Sequence, residues 1–232
     1  MILLEQVRES RWFRVAWQVA AALGVIVVIL AAIWAWYSSQ ESRGLAALAE
    51  ANVLAQQVER PEARDRAIKA LELVIAEHPR LSALPQAAYE LGNLKYAAGQ
   101  YAAARGAYEL ALAKGATGTL RTLSAAGIGY TWEAEKNYAA AAKTYGEARK
   151  GLSTKDFMYE ELALAEARDQ ELAGKPAAAL ELYERLLRDV PTARKAEVVR
   201  TRIASLRSRP NQQLPEGCSA SRGRRSRGLN VR

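Results

Sequence analysis

Only one histidine, His78, and one cysteine, Cys218, occur among the 232 residues. An intramolecular disulfide framework and a Cys/His metal cluster are therefore excluded, and a Ser–His–Asp site would rest on His78 alone. His78 stands before Pro79 at what reads as a helix end, where a cation answers the negative pole of the helix. No second His or Cys exists to join it as a ligand or base. Gly174-Lys175 is not a phosphate loop, because Asp169 replaces the leading glycine and Pro176 replaces the hydroxyl residue. Gly127-Ile128-Gly129 lacks the third glycine of a dinucleotide fingerprint, Trp132 standing there, and reads as helix packing. Glu133, Glu135, Glu160 and Glu161 read as a solvated face rather than a metal site. No cofactor, no metal and no catalytic chemistry are expected.

What remains is binding chemistry. Tyr89, Asn93 and Tyr96 are spaced i, i+4, i+7, which places them on one face of a helix. Tyr rings beside an amide suit an extended peptide: large contact area, few rotatable bonds and hydrogen bonds aimed at a backbone. The same spacing also suits rings packed against a following pair of helices, and the sequence leaves both readings open.

The elements that must hold these residues are helical. The chain carries 47 Ala and 2 Phe, a composition of close-packed helices rather than of a sheet. It also repeats. Gly92, Gly99, Tyr101, Ala104, Tyr108 and Ala111 return 37 positions later as Gly129, Lys136, Tyr138, Ala141, Tyr145 and Ala148. They return 38 positions further on as Ala167, Gly174, Pro176, Ala179, Tyr183 and Leu186, followed by Pro191. A degenerate copy precedes them: Ala55, Glu62, Arg64, Ala67, Leu71 and Val74, followed by Pro79. Small residues let two helices approach, glycine ends the first helix of a pair, and proline stops the second. Each pair alone leaves one face wet, so the pairs must stack. Residues 192–206 read as a capping helix with Thr192 at its N-cap and an apolar stripe of Val198, Val199, Ile203 and Leu206.

These spacings resemble the tetratricopeptide repeat (TPR), most closely at 83–115, then at 124–151 and 161–191, over about 165 of the 232 residues. The periods exceed the family's 34 residues, and the additions fall between units, in LAKGATGTLRT and KGLSTKDFMYE. The resemblance implies an all-α solenoid of about four helix pairs whose first helices line a concave groove. Residues expected to face it are Asn52 and Gln56, then Tyr89, Asn93 and Tyr96, then Tyr130 and Glu133, then Leu164 and Arg168. Of the Lys, Asn and Arg set with which chaperone-tail-binding members clamp a carboxylate, only Asn93 is matched, so an acidic peptide end is not the expected ligand.

Two further segments flank the solenoid. Val15 to Tyr37 is a run of 23 residues without a charge, broken only by Gln18, with Trp12, Trp17, Trp34, Trp36 and Tyr37 near its ends. As a helix it spans about 35 Å, against a bilayer core of about 30 Å. It is too long, and ends in rings too bulky, for a cleaved signal peptide, and reads as a single transmembrane helix. Arg8, Arg11 and Arg14 precede it and only Arg43 follows closely, which places residues 1–14 in the cytoplasm and the repeat domain, 38–206, outside. The tail, 207–232, holds seven Arg and one Glu, so the net charge of +8 is mostly its property. It reads as a disordered segment, either solvated or in contact with anionic lipid, and a domain outside the cytoplasm makes nucleic acid an unexpected partner.

This layout resembles the YfgM-type ancillary subunits of the bacterial Sec translocon. It implies a site in the inner membrane, a periplasmic repeat domain, and chaperone-like contact with translocon components or exported chains. A structural scaffold for an envelope complex is the alternative reading.

Overall fold

A computed structural model describes residues 11–56 and 61–208; the segment ahead of residue 11 and the basic tail beyond Ser208, Cys218 included, lie outside the described residues. Among the described residues the chain is all helix and turn. The order is α1 (Arg11–Ala55), α2 (Pro61–Glu77), α3 (Leu84–Ala97), α4 (Tyr101–Ala113), α5 (Gly118–Ala134), α6 (Tyr138–Arg149), α7 (Tyr159–Leu172), α8 (Pro176–Asp189) and α9 (Ala196–Ser208). Each helix packs on the next, and α3 also meets α5. This is a TPR-like solenoid of antiparallel pairs.

The first helix unites two segments that the sequence separates. α1 is one unbroken helix of 45 residues, about 67 Å long. No Gly or Pro interrupts the polar stretch 38–43, and the Ser42 hydroxyl settles on the Ser39 carbonyl at 3.0 Å. Its apolar half is without packing partners, Trp34 being 73% and Val28 68% exposed. One helix there is long and apolar enough to cross a membrane. Past it, Gly44, Leu48 and Ala51 form a buried stripe at helical spacing, sealed against Ile68, Leu71, Val74 and Leu81. The apolar segment therefore runs straight into the first repeat with no flexible linker.

The repeated Gly and Tyr make the pairs interlock. The Tyr108 ring of α4 lies between Gly92 of α3 and Gly127 of α5, where an added Cβ would come within 2.5 Å and 2.7 Å of it. Gly129 clears space for Tyr145 in the same way one unit later. In the fourth unit Ala167 and Tyr183 hold these registers, both buried in the C-terminal core.

One turn geometry recurs. After α3, the Gly99 N–H donates to Tyr96 O at 2.9 Å and the Gln100 N–H to Lys95 O at 2.9 Å. Gly174 and Lys175 repeat the pattern after α7, and Lys136 and Asn137 after α5. The closing residue takes a left-handed conformation, with φ of 75° at Gly99, 76° at Gly174 and 60° at Lys136. α2 and α8 stop ahead of Pro79 and Pro191, as their missing donors require. The cap departs from expectation. α9 begins at Ala196, so Thr192 belongs to the preceding turn rather than to an N-cap. Val199, Ile203 and Leu206 are buried, but Val198 is 63% exposed, one position off the helical stripe.

Candidate binding face

The first helices of successive pairs, α3, α5 and α7, lie side by side and carry most of the residues that the sequence singles out. On α3, Tyr89 is half-buried with its ring 5.8 Å from that of Tyr108. Asn93 is exposed, and its Oδ1 accepts the Tyr108 hydroxyl at 2.8 Å. That bond engages the amide oxygen and leaves the NH2 as the group able to donate. Tyr96 is 37% exposed, its ring 5.4 Å from that of Tyr101. On α5, Tyr130 is half-buried against Tyr145 at 5.7 Å. Glu133 pairs with Arg168 of α7, an ion pair that ties the third unit to the fourth. Tyr89 and Tyr130 each pack on the tyrosine of their own pair, rather than on the following pair, and stay half-buried.

Asn52 and Gln56 are placed differently. The Asn52 Oδ1 is buried without a hydrogen-bond partner, and Gln56 stands exposed where α1 gives way to a turn. No hydrogen bond or ion pair joins either to the Tyr89–Arg168 strip among the described residues. Leu164 is half-buried and packs toward the C-terminal core.

Beneath the strip lies a polar cluster that sequence reasoning passes over. Asp169 is 0% exposed, and neither carboxylate oxygen has a hydrogen-bond partner among the described residues. Arg168 Nε is 3.6 Å from Asp169 Oδ1. Burial, and then the adjoining Glu133, push the Asp169 carboxyl up to about 7, against the pull of Arg168. Burial likewise raises the Tyr145 hydroxyl, which has no partner within hydrogen-bond geometry. The available signal was register: Asp169 falls on the stripe of Leu162 and Ala165, where an apolar residue belongs. Arg105 was also missed. Its guanidinium stacks 3.4 Å from the Trp132 ring centroid, and it reaches Glu135 at 3.0 Å and Thr131 at 3.2 Å.

The face offers phenol rings, one amide and a charged pair. Among the described residues no group of His, Cys, Asp and Glu could hold a metal ion. His78 lies elsewhere, beside α1.

No family model and no curated protein matches the chain. Solved structures do. A crystal structure of Podosopora anserina putative kinesin light chain nearly identical TPR-like repeats aligns at a TM-score of 0.54 and 18% identity, covering 68% of this chain and 84% of that one. A single-substitution variant of it aligns at 0.55, also at 18% identity and with the same coverage. At this identity the likeness establishes the fold alone, a TPR-like repeat.

Proposed function

We propose that the chain is a membrane-anchored protein–protein interaction module whose Tyr89–Asn93–Tyr96–Tyr130 strip binds extended segments of exported polypeptides. The observation that carries this is the strip itself, partly exposed rings and an oriented amide on a TPR-like array that continues directly from an apolar helix. Arg168 and Glu133 extend it with charge. In this reading Val15–Tyr37 spans the inner membrane, the solenoid stands in the periplasm, and the partners are exported chains or translocon components, as in the YfgM-type proteins it resembles. The Arg-rich tail contributes contact with anionic lipid. No enzymatic role is proposed.

A second reading has its own support. Because Tyr89 and Tyr130 are half-filled by Tyr108 and Tyr145, the face has less free area than an open groove, which suits a scaffold that docks folded subunits elsewhere. Photocrosslinking from position 96 of the full-length protein in native membranes separates the two. Many heterogeneous adducts, lost with Tyr89→Ala plus Tyr130→Ala, support peptide binding. One discrete adduct unaffected by those substitutions overturns it in favour of the scaffold.

A further inference from the structure

In an array of antiparallel pairs the connections fall on two edges. α1, α3, α5 and α7 run one way and the even-numbered helices return. The connections 78–83, 114–117, 150–158 and 190–195 therefore share one edge, and 98–100, 135–137 and 173–175 share the other.

Contacts with α1 fix the level of the first edge. A Cβ on Gly44 would meet Leu81 Cδ1 at 2.8 Å and His78 at 3.2 Å. The Glu41 carboxylate accepts the Ser82 N–H at 3.3 Å and also its hydroxyl. An open cleft of about 270 Å³ lies between Trp36, Tyr37 and Glu41 on one side and His78, Arg80 and Leu81 on the other. This connection thus stands beside the aromatic residues that end the apolar run, the level at which Trp and Tyr meet lipid headgroups.

Cations and apolar surface occur together on this edge. Arg80, Lys114, Arg121 and Lys155 are exposed along it, and none makes an ion pair among the described residues. Phe157 is 57% exposed, two residues from Lys155. The two connections that lengthen the repeat border a cavity of about 970 Å³ lined by Leu112, Arg121, Ile128, Leu152 and Phe157. The connections on the opposite edge contain no aromatic residue.

We propose that this edge is a second membrane contact: it lies on the anionic bilayer that α1 enters, with Arg80, Lys114, Arg121 and Lys155 at the phosphates and Phe157 in the interfacial layer. The inference rests on the reading of α1 as a membrane span. The occupant follows from the connectivity. A rigid helix without a linker holds the edge beside one surface, and unpaired cations next to an exposed ring complement an anionic leaflet. Tethering makes contacts that are weak singly effective together. The solenoid then lies along the membrane, with the side of each hairpin left open to partners.

The test uses the full-length chain carrying Cys218→Ser, with one environment-sensitive fluorophore at Thr154→Cys, Gln100→Cys or Leu30→Cys. Each is reconstituted in phosphatidylcholine vesicles with or without phosphatidylglycerol and with headgroup-labelled or mid-chain-labelled quencher lipid. The expected result is severalfold stronger headgroup quenching at 154 than at 100. It should require phosphatidylglycerol, weaken at high salt, and disappear with Arg80→Glu, Lys155→Glu and Phe157→Ser combined, while mid-chain quenching at 30 persists. Equal quenching at 154 and 100 with 30 still quenched overturns the edge contact and leaves the span. Loss of quenching at 30 overturns the span reading and this inference with it.

Discussion

The same substitution should change stability in opposite directions at two glycines. In a helix interior Gly→Ala ordinarily gains about 1 kcal/mol, because Ala loses less backbone freedom on folding. Gly106 of α4 is exposed with nothing within 4 Å of an added Cβ, so Gly106→Ala should show that gain. Gly129 of α5 lies against Tyr145, where a Cβ would stand 2.6 Å from Cζ and 2.7 Å from Cδ1. Tyr145 is fully buried and the Tyr130 ring sits 5.7 Å away, so the ring has no direction in which to yield. Overpacking of this kind costs roughly 1–3 kcal/mol. With several ring atoms this close the cost belongs at the upper end, about 2–3 kcal/mol, and set against the propensity gain Gly129→Ala should lose about 1–2 kcal/mol net. For a domain of this size that is a fall of roughly 2–8 °C in melting temperature, and Gly106→Ala should rise by about 2–4 °C. Thermal melts of the full-length protein in one detergent, followed by far-ultraviolet circular dichroism, measure both. A Gly129→Ala melt at or above that of the native chain would refute the ring-in-gap account of the repeat.

Other consequences follow from the buried groups and turns. Asp169 binds its proton more tightly folded than unfolded, so stability should decline as pH rises from about 4 to about 7 and level off above, by at most about 1.4 kcal/mol per pH unit. Asp169→Asn should flatten that slope and raise the urea midpoint at pH 8; an unchanged slope would show that the carboxyl is solvated. Lys136→Gly should stabilise by about 1 kcal/mol in equilibrium unfolding, since it relieves a side chain held at φ 60°. Tyr108→Phe removes the hydroxyl that fixes Asn93 and should cost about 0.5–1.5 kcal/mol in the same assay. It should also weaken any peptide bound at the face, read by crosslinking from position 96.

Local chemistry made much of the architecture legible. Gly92, Gly129 and the tyrosines recurring in register announced stacked helix pairs, while the seating of the Tyr108 and Tyr145 rings in the gaps left by those glycines came from the structure. Gly99, Gly174, Pro79 and Pro191 marked helix ends through backbone rules that need no tertiary context. The first unit was harder to read: its aromatic positions are empty, and its first helix is the end of the apolar one. That Tyr89, Asn93 and Tyr96 share one face of α3 was legible from their spacing, whereas the burial of the Asn52 amide oxygen was not.

By itself the sequence determined the helical class, the turns and the apolar segment, which depend on residues within a few positions of one another, and the repeat period, which is read by laying one unit on the next. Tertiary structure alone decided what depends on distant segments meeting. It joined the apolar segment and the first repeat in one helix, since continuity rests on α2 and the 78–82 connection packing on α1 beyond Tyr37. It buried Asp169 beside Glu133, 36 positions away, where only the stacking of α5 on α7 brings two carboxyls together. It also gathered Arg80, Lys114, Lys155 and Phe157 onto one edge, because the alternating direction of the helices, and no local motif, sets which connections share a surface.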